Sequence, residues 1–129
     1  MNKPIIFSLI ESPEHPRLSR LYSEMGYDEM QFPSVRKVIG ALKKYQPEVI
    51  VAQFFYAYST NYASNYISNL DSLLVTLQKN ADYKPTFIFL VHKEDHQYLH
   101  QLTDHYNDFS KINHTFILPV KEDKIREVL

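Results

Sequence analysis

The stretch from Gly26 to Gln53 reads GYDEMQFPSVRKVIGALKKYQPEVIVAQ. It contains one complete β-α-β unit. Gly26-Tyr27 is a turn signal, and Asp28 to Phe32 occupies the place of a strand with a weak pattern. Val35, Val38, Ile39 and Leu42 follow the i, i+3, i+4, i+7 spacing of a helix face, and Ser34 stands where an N-cap belongs. Pro47 closes that helix. Val49-Ile50-Val51-Ala52 is then a continuous apolar run, the signature of a strand covered on both faces.

The same reading extends outward in both directions. Ile5 to Ile10, Phe87 to Val91 and Phe116 to Leu118 are further apolar runs expected to be strands. Helical stripes separate them: Leu18, Leu21, Tyr22 and Met25; Ile67, Leu70, Leu74 and Leu77; Leu99, Leu102, Tyr106 and Phe109. Ile125 with Val128 or Leu129 marks a short last helix. Strict alternation of strands and crossover helices predicts an α/β doubly wound, three-layer flavodoxin-like fold. Its five parallel strands are expected in the order 2-1-3-4-5.

Composition narrows function further. The chain has 129 residues, 44% hydrophobic and 22% charged, which fits one ordered domain over residues 1–129. The short final helix leaves room for this being the regulatory piece of a longer DNA-binding regulator. There is no cysteine, so disulfides, cysteine-ligated metals and thiol nucleophiles are excluded. Gly26 and Gly40 are the only glycines, too few for a dinucleotide fingerprint and not spaced five apart before Lys-Ser/Thr as a P-loop needs. No flavin or other cofactor is expected: the first loop, Glu11-Ser12-Pro13-Glu14-His15-Pro16, carries acids and prolines where a phosphate needs free N–H groups. The net charge is −1, so no global field draws nucleic acid or anionic lipid. No signal peptide or membrane span is read, and a cytoplasmic location is expected.

The spacing of Gly26-Tyr27, Pro47-Glu48 and the apolar strand ending at Gln53 resembles that of bacterial response-regulator receiver domains. The resemblance implies a receiver-like fold and a signalling context. It also locates the family's chemical positions in this chain. The magnesium-holding acidic pair falls on Leu9 and Ile10, with Glu11 the nearest acid. The phosphoacceptor aspartate falls on Gln53, the switch hydroxyl on Leu90 or Val91, and the lysine before a proline on Leu118. An amide does not form an acyl phosphate, and phosphoryl transfer would need a metal cage and a cation that these positions lack. The chain thus reads as a pseudo-receiver, not an enzyme, whose function is phosphorylation-independent protein–protein interaction with a partner or with itself. A small-ligand or metal sensor is the alternative.

Two further constellations qualify as sites. Tyr56, Tyr58, Tyr62 and Tyr66 lie in a Tyr-, Ser- and Asn-rich stretch after the third strand, a composition suited to recognition. Tyr106 lies on the face that receivers commonly use for association. His96, His100 and Asp104, with His92 before them, are spaced four apart, so pairs could share a helix face as metal ligands. The more ordinary reading is a solvated face without metal. Arg36, Lys37, Lys43 and Lys44 make the second helix locally basic, which reads as a solvated face too.

Overall fold

The computed structural model describes residues 3–57 and 66–129. Five parallel strands form one sheet in the order β2-β1-β3-β4-β5: β1 (Ile5–Leu9), β2 (Asp28–Phe32), β3 (Val49–Phe54), β4 (Thr86–His92) and β5 (Ile112–Leu118). The helices are α1 (Ser19–Glu24), α2 (Val35–Ala41), α3 (Asp71–Gln78), α4 (Lys93–His96), α5 (Leu99–His105) and α6 (Glu122–Arg126). The expected fold class and strand order are therefore present. Among the described residues no helix is long and apolar enough to cross a membrane.

Alternation along the strands sorts the core into two layers. Ile50, Ala52 and Phe54 of β3 and Phe87, Phe89 and Val91 of β4 face one side, where α2, α3 and α5 bury Val38, Leu73, Leu74, Leu77 and Leu102. Val49, Val51, Ile88 and Leu90 face the other side, against Leu21 and Tyr22 of α1 and Ile125 of α6. Both faces of β3 and β4 are thus covered, which is why these strands read as unbroken apolar runs. Each fully buried side chain of this kind contributes about 1.5–3 kcal/mol.

The Gly26-Tyr27 signal has a specific backbone cause. Gly26 has φ +89°, a left-handed conformation that β-carbon sterics disfavour in other residues. Its N–H donates to Ser23 O (3.1 Å) and the Tyr27 N–H to Tyr22 O (2.9 Å), closing α1 with a Schellman motif. At the start of α2, Ser34 Oγ accepts from the Lys37 N–H, as the sequence predicts.

Two elements differ from expectation. The fourth helical stripe is not one helix. α4 and α5 are separated at Gln97-Tyr98, and Tyr106 and Phe109 lie beyond the end of α5, although both still pack in the core. The break occurs where the Tyr98 ring stacks on Tyr56, centroids 3.9 Å apart and 9° between planes, and where Asp95 accepts the Tyr56 N–H. The second difference is β5. It begins at Ile112, well before the apolar run, and it is an edge strand with alternating exposure. Ile112 and Ile117 are about half exposed, at 51% and 45%. Only one neighbour strand and a partial helix cover lie against it, so continuous burial is not achieved there.

Candidate functional site

The C-terminal ends of β1, β3 and β4 converge on Gln53. This side chain is buried at 1% exposure, although it lies in the last turn of a strand before a loop. Its burial is possible because the amide is hydrogen-bonded on both ends. Ser12 Oγ donates to Gln53 Oε1 at 3.2 Å, and Gln53 Nε2 donates to Glu14 Oε1 at 3.2 Å. Ser12 Oγ also accepts the Glu14 N–H at 3.0 Å, which folds the β1–α1 loop back on itself. The other oxygen of Glu14 lies 4.0 Å from His92 Nε2. His92 ends β4 and caps α4 by accepting the Glu94 N–H on Nδ1 at 3.2 Å. That acceptance places the imidazole proton on Nε2, facing Glu14. Both side chains are about half exposed, and with the ring neutral their approach is not an ion pair.

Asn69 ties the neighbouring loop to the same centre. Its Nδ2 donates to Gln53 O (2.9 Å) and Glu11 Oε1 (2.8 Å), while its Oδ1 accepts the Phe55 N–H (2.8 Å). The buried side chain at the end of β3 is thus an amide. It donates to one acid and is latched by two loops. Chemically this cluster can position backbone and exclude ligands; it offers no free carboxylate at Gln53.

The apolar residues expected around Gln53 do not all converge on it. Leu90, the register partner of Gln53, is fully buried, and Leu118 is 8% exposed; both lie on the α1/α6 side. Leu9, also fully buried, faces the opposite layer with α2 and α3. Ile10 is half-buried and lines a shallow cleft with Arg17, Gln31 and Phe32. Glu11 is exposed and engaged by Asn69.

The tyrosines divide likewise. Tyr66 is 62% exposed, and Tyr56 is half-buried on Tyr98. Tyr58 and Tyr62 lie outside the described residues. Tyr106 is not a surface residue, contrary to its expected place on an association face. Its ring is in the core and its hydroxyl donates to Asp71 Oδ2 at 2.9 Å. Burial and the Asp71 carboxylate push that hydroxyl up to about 12. The His96, His100 and Asp104 spacing is divided by the α4/α5 break, and His100 Nδ1 is within 2.9 Å of Gln97 O. Among the described residues no group of three metal-ligating side chains is assembled.

Sequence reasoning passed over Asp71. It is 1% exposed and accepts four hydrogen bonds: from the Ile67 N–H, the Ser68 N–H, Ser68 Oγ and Tyr106 Oη. It fixes the returning end of the Tyr-rich stretch to α5. An acid at the first position of an otherwise uncharged helix was the signal available.

His15 is a further buried polar group of this end. It is 3% exposed; Nδ1 donates to Pro16 O at 2.8 Å, and Nε2 has no hydrogen-bond partner among the described residues. Burial lowers its pKa below 6.5; the backbone carbonyls of Pro16 and Val51, and then the Glu29 charge, oppose that shift, and Arg17 adds to it. The unfolded chain therefore takes up the proton first. Stability contributed by neutral His15 is complete above pH 6.5 and is lost as pH falls from 6.5 through the lowered folded value. Urea denaturation of the wild type and His15→Gln across pH 8 to 5 checks this: the wild type is expected to lose stability relative to the variant below about pH 6.5. Parallel curves would contradict it.

No family model and no curated protein matches the chain. Solved structures do. The regulatory domain of the repressor of iron transport regulator (RitR), in its inactive form, superimposes with a TM-score of 0.66 at 13% identity, covering 98% of this chain and 90% of that one. The receiver domain of the Francisella response regulator 1452 gives 0.63 at 12% identity, covering 98% and 93%. The beryllofluoride-activated NtrC receiver domain gives 0.59 at 15% identity, covering 100% and 93%. At these identities the likeness is one of fold, and the fold of this chain is that of response-regulator receiver domains.

Proposed function

We propose that the chain is a pseudo-receiver: a response-regulator-type signalling domain that works by protein–protein interaction and takes up no phosphate. The observation that carries this reading is Gln53, a buried amide bonded to Ser12 and Glu14 at the end of β3. Phosphoryl transfer to an aspartate relies on a carboxylate nucleophile, a bound divalent cation and a cation for the new charge. Here the first is an amide, and the residues matched to the others are Leu9, Ile10 and Leu118. The signalling context rests on the similarity in fold to receiver domains.

The test is intact-mass measurement after incubation with acetyl phosphate and magnesium, alongside beryllofluoride titration followed by amide NMR. No phosphate adduct and no shifts around Gln53 are expected. A single-phosphate mass increase mapped to Glu11, Glu14 or any residue beside Gln53 would overturn the reading.

A further inference from the structure

The opposite end of the sheet, where α2 and α3 finish, combines unpaired positive charge with an apolar cleft. From Pro33 to Pro47 the chain carries Arg36, Lys37, Lys43 and Lys44 and no acid. All four are exposed, and so is Lys79 just past α3. None of the five takes part in an ion pair among the described residues. Helix stability does not account for this set. Lys43 and Lys44, after the C-terminus of α2, suit the negative end of its dipole, but Arg36 and Lys37 stand in its first turn, where a cation is unfavourable.

Helical spacing aligns Arg36 with Ile39 and Lys43, and Ile39, Leu42 and Lys43 form one wall of the cleft. Thr76, Leu77 and Tyr83 form the other, around a volume of about 130 Å³. Ile39, Leu42 and Tyr83 are half-buried, so their apolar surface is open to this space. The exposed faces of α3 add no acid, since Asp71 is buried; the nearby counter-charges are Asp82, beyond it, and Glu48, which lies close to the Tyr83 hydroxyl and is paired with Lys111. The floor is fixed: Tyr83 Oη donates to Pro47 O, and Lys84 Nζ donates to Leu77 O and Gln78 O at the end of α3.

We infer that the α2–α3 cleft docks an acidic segment of a partner protein, one apolar side chain entering between Ile39, Leu42 and Tyr83 while carboxylates lie along Arg36, Lys43, Lys44 and Lys79. Charge complementarity selects an acidic occupant, and the cleft selects a peptide over a polyanion without an aliphatic anchor. The cleft is at the far end of the strands from Gln53, so this inference does not depend on phosphate being excluded there.

The experiment uses the full chain and a fluorescein-labelled acidic peptide of about 14 residues with a single central leucine. Controls are the same peptide with serine for leucine, a single-stranded oligonucleotide, and anionic phospholipid vesicles. Saturable binding is expected, weakening with salt, with amide shifts confined to Val38–Lys44 and Thr76–Tyr83. The serine peptide and the Lys43→Glu, Lys79→Glu double variant are each expected to bind at least about tenfold more weakly. Both substitutions are on exposed side chains, and the variant's melting curve confirms its fold. No binding by the leucine peptide, shifts located elsewhere, or equal binding by serine peptide, oligonucleotide or vesicles would overturn the proposal. A phosphate adduct near Gln53 would leave it standing.

Discussion

Asp71→Ala is expected to lower the unfolding free energy by about 3–4 kcal/mol, without abolishing the cooperative transition. The carboxylate is buried and accepts from two backbone N–H groups, Ser68 Oγ and Tyr106 Oη. Alanine leaves those donors facing a space with no acceptor. Each buried orphan costs about 1–3 kcal/mol, and local relaxation toward solvent at Ile67 recovers part of the total. Tyr106→Phe removes one donor and leaves three bonds, so a loss of about 1 kcal/mol is expected. Urea denaturation with an unchanged m-value would measure both. A loss below about 1 kcal/mol for the alanine variant would show that Asp71 is not the clasp described here. Because Ile67 and Ser68 end the Tyr-rich stretch, faster amide exchange at those two residues is the expected local companion.

Gln53→Asp is expected to destabilise the chain by about 2–4 kcal/mol at pH 7 rather than restore receiver chemistry. Gln53 Nε2 donates to Glu14 Oε1; an aspartate has no donor for it and adds a second negative charge to a buried position beside Glu14 and Glu11. Burial and like charge raise a carboxyl pKa in the folded state above its unfolded value. The folded variant thus binds a proton more tightly than the unfolded chain. Its deficit against wild type is largest above the raised folded pKa and shrinks as pH falls through that value toward 4. Paired thermal melts at pH 7.5 and 4.5 read this directly. A deficit that grows on acidification, or a variant as stable as wild type at pH 7.5, would contradict the buried-amide account.

How much of this was legible in the sequence follows from the range of the interactions. Gly26-Tyr27 was legible because a Schellman closure is local, its two bonds spanning residues 22 to 27. β3 and β4 were legible because burial on both faces makes Val49–Ala52 and Phe87–Val91 continuous apolar runs. The split between α4 and α5 was not, since Leu99, Leu102, Tyr106 and Phe109 all reach the core and keep a helical spacing even after the helix has ended. β5 was recognised only at its last three residues. An edge strand tolerates Asn113, His114 and Thr115, which erase the apolar run. The place of Gln53 at the end of β3 could be read from spacing. Its partners Ser12 and Glu14 could not, because they lie about 40 positions away, and their bonds depend on how the β1–α1 loop turns above the sheet.

The open edge of β5 also sets how this protein behaves in concentrated solution. Seven residues from Ile112 to Leu118 carry no Asp, Glu, Lys or Arg, and among the described residues no strand covers their outer side. Half-exposed Ile112 and Ile117 lie along that row of backbone donors and acceptors. Such an edge is a template for strand addition from another chain, and natural sheets commonly blunt it with lysine or proline. In this chain those residues stand only at its ends, as Lys111, Pro119 and Lys121. The colloidal weak point of the molecule is therefore a line of peptide groups rather than an oily patch. Added salt or a higher net charge would do little to protect it; a lysine in place of Thr115 would protect it directly.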